Sequence, residues 1–276
     1  MKTVLLISRD EKFSPNSVEK DKAILEAVGE RLAKRGMAVT TVAERAFTAA
    51  HSADVYLSMG RLPLTLTLLK NKEWSGSMVV NSGFAVGRCA RNVLDCFMRS
   101  NNIPVAPLYV REEAVLKGRS SRARGGFWLK RGDACAQTEA DVCYAKDVAE
   151  ADEVLRAFHA RGVYNVLATE HVEGDVVKFY GVSGTGFFRT YYPADDGQTK
   201  FGHEIVNGAA HHYAFSVTRL YRDAEKTARL VGVRVYGGDC IVRRDGSYVI
   251  IDFNDWPSFS RCKNKAAEVI ASLVKN

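Results

Sequence analysis

Apolar and polar positions along the first hundred residues switch between two periods. Val4, Leu5, Leu6 and Ile7 form an unbroken apolar run, the pattern of a strand buried on both faces. Ile24, Leu25, Val28 and Leu32 then recur at helical spacing, and Gly36 stands where such a helix stops. The same reading predicts strands over 37–42, 55–59 and 78–80, with helices over 63–69 and 89–99. Strands alternating with helices imply a parallel sheet covered on both sides. Pro104 and Pro107 break this rhythm. From Phe127 onward the pattern predicts strands over 127–130 and 142–145, a helix over 148–159, and a hairpin of 166–172 with 176–182 around Glu173-Gly174-Asp175. A helix over 218–231, paired strands over 233–242 and 248–253, and a closing helix over 266–274 follow. Gly181-x-x-Gly184-x-Gly186 joins two strands, so it reads as a hairpin turn and not as a dinucleotide loop.

Composition narrows the class. The 276 residues are 46% hydrophobic and 26% charged, which suits a globular chain of two domains or one large α/β unit and excludes a disordered, collagen-like or coiled-coil chain. No apolar run approaches the roughly 18 residues of a membrane span. The opening apolar run meets charge too soon for a signal peptide, so a cytoplasmic protein without membrane contact is expected. Cys89, Cys96, Cys135, Cys143, Cys240 and Cys262 show no zinc spacing and are expected to be buried apolar residues. The net charge of +7 points to an anionic partner, nucleic acid or a phosphate-bearing small molecule. No nucleic-acid motif favours the first. The basic stretch 111–131, with Lys117, Arg119, Arg122 and Arg124, reads mainly as a solvated linker.

The most informative chemistry lies between Gly237 and Asn254. Asp245-Gly246 is a preferred pair for a two-residue turn, and with that turn at the centre Asp239 falls opposite Asp252. Asn254 lies two residues further on, on the same face. Ile241 and Ile250 are then expected on one face, and Val242, Val249 and Ile251 on the other. A three-residue loop would shift this register by one. Two facing carboxylates repel unless a cation joins them, and an all-oxygen set of two carboxylates and a carboxamide suits Mg2+ or Mn2+. Magnesium so held usually completes its shell with nucleotide phosphates, which predicts a nucleotide site nearby.

Gly238-Asp239, followed by Ile251-Asp252-Phe253-Asn254-Asp255-Trp256-Pro257, resembles the metal-binding end of the ATP-grasp superfamily. The resemblance covers roughly residues 80–276. It implies an α/β (α+β) fold with a Rossmann-like parallel-sheet domain over 1–103 and an ATP-grasp domain over 104–276, divided into a lid subdomain (104–172) and a metal-binding subdomain (173–276). It implies ATP and Mg2+ or Mn2+ as cofactors, with Asp239, Asp252 and Asn254 on the metal. Lys130 resembles the strand lysine that contacts nucleotide phosphates. The stretch Glu170, His171 and Val172 to Asp175 resembles the hinge whose backbone reads adenine, with Glu170 facing the adenine amino group and Asp175 the ribose. Lys178 is placed to reach phosphate or acceptor. Two departures stand out. The loop after Lys130 has one glycine where the family's is rich in small residues, and Gly237 occupies the place of an arginine found in peptide ligases. Either Arg189 or Arg234 substitutes for it, or the chemistry differs. Gly237-Gly238-Asp239 also looks like the inositol-polyphosphate kinase branch.

The reaction expected first is ligation of a carboxylate to an amine through an acyl phosphate, with Arg189 gripping an anionic small-molecule or peptide acceptor. Lys200, His203, His211 and His212 are further candidates for the acceptor site. The alternative is a small-molecule kinase acting on an alcohol. A third possibility is a nucleic-acid-binding protein using the basic stretch. A homodimer is left open.

Overall fold

The computed structural model describes residues 1–109, 125–195 and 206–275. The first hundred residues fold as their periodicity predicts: β1 (Thr3–Ser8), α1 (Val18–Lys34), β2 (Ala38–Ala43), β3 (Val55–Ser58), α2 (Pro63–Trp74) and β4 (Met78–Val80). The strands pair in parallel in the order β2-β1-β3-β4. Alternation along β1 sends Val4 and Leu6 into a core with Ile24, Val28 and Leu32 of α1, and Leu5 and Ile7 into a second core with Tyr56 and Leu69. A short helix that the periodicity does not predict, α3 (Gly83–Gly87), comes first, and the helix expected over 89–99 forms after it as α4 (Arg91–Ser100). The Ser82 hydroxyl caps the first by accepting from the Phe84 and Ala85 amides, and Ala90 is extended between the two.

An antiparallel sheet follows, built from β5 (Leu108–Tyr109), β6 (Phe127–Arg131), β7 (Val142–Ala145) and β8 (Val166–Glu170) in the order β5-β8-β6-β7. Helix α5 (Val148–Ala160) lays Leu155 and Phe158 against Phe127, Leu129 and Ala168 of this sheet. The third sheet holds β9 (Asp175–Val182), β10 (Phe187–Tyr191), β11 (Val235–Val242) and β12 (Tyr248–Asp255) in the order β10-β9-β11-β12, with α6 (Val217–Val231) between β10 and β11 in sequence. The 183–186 turn joins β9 to β10, as expected of its glycines.

The predicted hairpin of 166–172 with 176–182 is not formed. Strand β8 pairs with β5 and β6, whereas β9 pairs with β10 and β11, so residues 171–174 carry the chain from one sheet to the next. Two apolar stretches flanking a Gly-containing turn look alike whether they pair or part. Gly174, at φ 147°, makes this crossing, and a Cβ there would stand 2.3 Å from the Val242 carbonyl oxygen.

The C-terminal α7 (Lys263–Ser272) returns to the start of the molecule. Ala266, Ala267 and Ile270 share one core with Val4, Leu6 and Ile24, and this core also takes in Val182, Phe187 and Trp256 from around the third sheet. Each such fully buried aliphatic side chain contributes about 1.5–3 kcal/mol, so the first and third sheets are joined by burial and not merely by chain. All six cysteines are free. Only Cys240 is buried and Cys96 is exposed, which corrects the expectation that all are core residues. Among the described residues no helix is long and apolar enough to cross a membrane.

Candidate active site

A cleft of about 300 Å³ is lined by strands of the second and third sheets and by residues that follow β1 and β3 of the first. Its centre is the β11–β12 hairpin. The turn is a three-residue loop: Gly246, at φ 80°, donates to Arg243, and the Arg243 amide donates to the Ser247 carbonyl. Near the turn the register is therefore shifted from the predicted one, pairing Val242 with Tyr248 and Cys240 with Ile250. A bulge at Ile251 then restores it, and Asp239 lies opposite Asp252 after all. The shifted register near the turn also corrects the face assignment. Ile250 joins Cys240 and Val242 in one core, whereas Ile241, Val249 and Ile251 lie together on the other side.

The bulge leaves the Ile251 carbonyl to accept from Lys130 Nζ at 2.9 Å. Lys130 comes from β6 and is buried. Burial, then the nearby Arg91 charge, pulls its pKa down to about 8, against the opposing pull of Asp252 and Asp239. Each acid also faces a cation of its own. Lys178 Nζ lies 3.0 Å from Asp239 Oδ1, since the two are directly paired across β9 and β11. Arg91 Nη2 lies 3.5 Å from Asp252 Oδ1, and its Nη1 donates to the Arg131 carbonyl at 2.9 Å. Asn254 Nδ2 donates to Asp252 Oδ2 at 2.8 Å.

Asp239, Asp252 and the Asn254 amide thus stand together, with oxygen donors of the kind a small divalent cation prefers, and fit the predicted Mg2+ or Mn2+. Among the described residues no cluster of three or more His, Cys, Asp or Glu is placed to hold a metal, so the amide is needed to complete this set.

The wall toward β8 is mostly apolar, with Trp128, Val142, Val172, Val176 and Ile241 beside Thr169 and Glu170. Of the hinge amides, Glu170 N donates to the Pro107 carbonyl and His171 N to that of Gly126, each at 3.0 Å. Val172 N–H has no internal acceptor among the described residues. The Val172 carbonyl accepts from Asn207 Nδ2 at 3.0 Å. The His171 ring does not line the cleft. It accepts at Nδ1 from the Trp128 indole at 3.0 Å, and burial lowers its pKa, which keeps that nitrogen free to accept. His171 therefore holds the Trp128 ring in the wall.

Besides His171, two expected site residues, Asp175 and Arg189, do not line the cleft. Asp175 is buried, with its carboxylate accepting from the His211 and Tyr213 amides at 2.7 and 2.8 Å, so it fixes the chain at 211–213 and does not face a ribose. Arg189 shares a face with Tyr180 on the edge strand β10, but it is exposed, lies over the Phe187 ring and donates to the Phe188 carbonyl. Arg234 is exposed at the start of β11, and His211 and His212 are held by Asp175 and Asp195. Lys117, Arg119, Arg122, Arg124, Lys200 and His203 lie outside the described residues.

Position 237 has no room for an arginine. A Cβ there would come within 2.8 Å of Pro257 Cγ and 2.9 Å of Tyr180 Cδ1. The loop after Lys130 is anchored instead of open: Gly132 donates to the Asn165 carbonyl at 2.7 Å, and Cys135 and Ala136 line the cleft.

Sequence reasoning missed the arginines. Besides Arg91, Arg61 grips the buried Asp255 at 2.7 Å and donates to Cys135 Sγ at 2.7 Å, while Arg9 bonds Asp21 at 2.9 Å and the Trp256 carbonyl at 2.6 Å. Burial opposes the Arg61 charge, yet Asp255 raises its pKa overall. No local pattern marks these residues. The one signal in the chain was an acid directly after Asn254, in a strand otherwise buried.

No family model matches the chain, and no curated protein does. Solved structures do. A RimK-domain ATP-grasp protein from Sphaerobacter thermophilus superposes with a TM-score of 0.69 at 18% identity, covering 99% of each chain. The D-alanine–D-alanine ligase from Bacillus anthracis, complexed with ATP, gives 0.66 at 12% identity over 99% of this chain and 97% of that one. The ATP-grasp ligase PsnB, complexed with a minimal precursor, gives 0.64 at 15% identity over 99% and 98%.

Proposed function

We propose that this chain, which has the ATP-grasp fold across its length, is an ATP-dependent ligase that joins a carboxylate to an amine. The observation that carries this reading is the convergence of Asp239, Asp252 and Asn254 beside the buried Lys130 in one cleft. Adenine would lie against Trp128, Val172 and Ile241, with the Val172 amide and the Glu170 carboxylate available to its polar edge. The phosphates would then meet Lys130, Arg91 and Lys178. A divalent cation on Asp239, Asp252 and Asn254 would neutralise charge on the β- and γ-phosphates as the γ-phosphoryl group departs.

A substrate carboxylate oxygen attacks the γ-phosphorus, the bond to the ADP oxygen breaks, and an acyl phosphate forms. The amine then attacks the acyl carbon, phosphate leaves and the nitrogen gives up a proton. No covalent protein nucleophile is required, because positioning and charge stabilisation lower both barriers.

One observation favours a second reading, phosphoryl transfer to an alcohol: the closed space at Gly237, where ligases of peptide type place an arginine. The test is ATP turnover with pooled amino acids, dipeptides and polyols, with ADP and phosphate measured separately. Ligation yields both in equal amounts and only when carboxylate and amine are present together. ADP without free phosphate in the polyol pool rejects ligation.

A further inference from the structure

Along β9, the residues that line the cleft follow one another at every second position. Val176 pairs with Ile241 at the apolar wall, Lys178 with Asp239 at the candidate metal ligands, and Tyr180 with Gly237 beyond them. Each step of two residues advances about 6.8 Å. With adenine at the first pair and phosphates at the second, the third pair stands where the γ-phosphoryl group meets its acceptor. The nucleotide and the metal leave Tyr180 unused.

Gly237 and Tyr180 are fitted to each other. A Cβ at 237 would stand 2.9 Å from Tyr180 Cδ1, so the ring covers the glycine and fills the space that a side chain there would take. Tyr191 and Phe259 hold the ring, their centres 5.8 and 5.3 Å from its own. The charged neighbours are occupied, Lys178 with Asp239 at 3.0 Å and Arg91 with Asp252 at 3.5 Å. The Tyr180 hydroxyl, by contrast, makes no hydrogen bond among the described residues, although the side chain lines the cleft and is half-buried. A phenol keeps its proton at neutral pH, and burial raises its pKa further. A rigid, neutral O–H donor therefore stands at the acceptor end, with no acceptor of its own.

We infer that Tyr180 is a catalytic residue of ligation, its hydroxyl donating to the acyl oxygen of the substrate; this rests on the ligase reading. When the amine attacks the acyl carbon, the C–N bond forms and the carbonyl π pair moves onto oxygen. The phenol O–H bonds that oxygen more strongly as its charge grows, without giving up the proton. The pair returns as the bond to phosphate breaks, and the nitrogen proton passes to water. The earlier step gains nothing from this contact, because the same oxygen loses negative charge when the carboxylate is phosphorylated. The closed space at Gly237 is then more than the lack of an arginine, since the ring that closes it carries a donor.

The test is Tyr180→Phe in the full chain, which keeps the ring over Gly237 and removes the donor. With ATP, Mg2+ and the pooled amino acids and dipeptides, steady-state amide formation should fall about 10²-fold. In rapid-quench measurements the first equivalent of ADP should form at the parental rate, with phosphate release lagging behind it. AMPPNP affinity by calorimetry and the thermal midpoint should match the parent. Amide formation at the parental rate, or a loss matched by equal losses in nucleotide affinity or thermal midpoint, overturns the inference and leaves Tyr180 a packing residue. Equal slowing of ADP and phosphate overturns the assignment to the acyl oxygen. In each of these cases equal yields of ADP and phosphate from the parent leave the ligase reading standing. A parent that releases no phosphate with this pool sinks the ligase reading, and the catalytic role of Tyr180 with it.

Discussion

The two acids of the β11–β12 hairpin and the arginines around them differ in how far the chain travels to bring them together. Asp239 and Asp252 meet within one hairpin, and a turn plus a bulge decides their register. Arg91, Arg61 and Arg9 reach the same strand end from 161, 194 and 246 residues away. The hairpin supplies the candidate ligands, and the distant arginines fix where those side chains stand relative to the first sheet. Chemistry is encoded locally here and alignment globally, and the two fail differently when broken.

The largest effect is expected from the global half. Asp255 is buried, and Arg61 is its closest partner. Arg61→Leu leaves a buried carboxylate with only Arg9, at 3.9 Å, and should cost about 3–5 kcal/mol of stability. The denaturation midpoint would fall with an unchanged m value. Adding Asp255→Leu should recover at least half of the loss, because no uncompensated charge then remains. If the single variant melts like the parent, the arginines do not align the strand.

Asp252→Asn tests the local half. The side chain is partly exposed and the replacement keeps its volume, so the fold should survive. Magnesium-dependent ATP turnover should fall about 10²–10³-fold, the scale on which one preorganised charge contributes to a transition state. Circular dichroism confirms the fold and ADP release gives the rate. Turnover at the parental level would mean that the metal lies elsewhere.

The same contrast explains what the sequence made legible. Strands and helices of the first hundred residues could be read because their period is local, and so could the facing of Asp239 and Asp252. The latter survived by compensation: Gly246 opened the turn by one residue, and Ile251 took the residue up again. The extra residue left no mark in the apolar pattern, because Ile250 and Ile251 are equally apolar on either face. The hairpin misread around Gly174 has the same origin, since pairing partners of an apolar strand depend on the whole topology. Asp175 was misplaced for another reason. A carboxylate after a hinge reads the same whether it faces a ligand or caps the His211 and Tyr213 amides.

Lys130 belongs to both halves, as a β6 residue that closes on the bulge of β12. Lys130→Met should weaken AMPPNP by about 10–100-fold, the range of a hydrogen bond to a charged group, about 1.5–3 kcal/mol. Calorimetric titration measures it. The thermal midpoint should hold or rise, because the variant no longer buries a charge. A loss of stability without loss of affinity would make Lys130 a strut between sheets and not a phosphate contact.

The smallest effect separates those two roles without a mutation that alters packing. Burial first, and the Arg91 charge second, hold the free Lys130 pKa near 8, so the side chain is charged below that pH and increasingly neutral above it. Phosphate oxygens favour the charged form, which places the pKa higher in the complex. Above pH 8, then, nucleotide binding must take up a proton, and affinity falls as pH rises, by at most tenfold per unit. Below about pH 7 this contribution is nearly flat, because the free side chain is already protonated. AMPPNP affinity measured from pH 6.5 to 9.5, in buffers of different ionisation enthalpy, reads both the fall and the proton uptake. Lys130→Arg stays charged throughout and should remove the pH dependence while keeping much of the affinity. A parental profile that stays level to pH 9.5, with no proton taken up, would place the phosphates away from Lys130 and leave the carboxylate hairpin without its nucleotide.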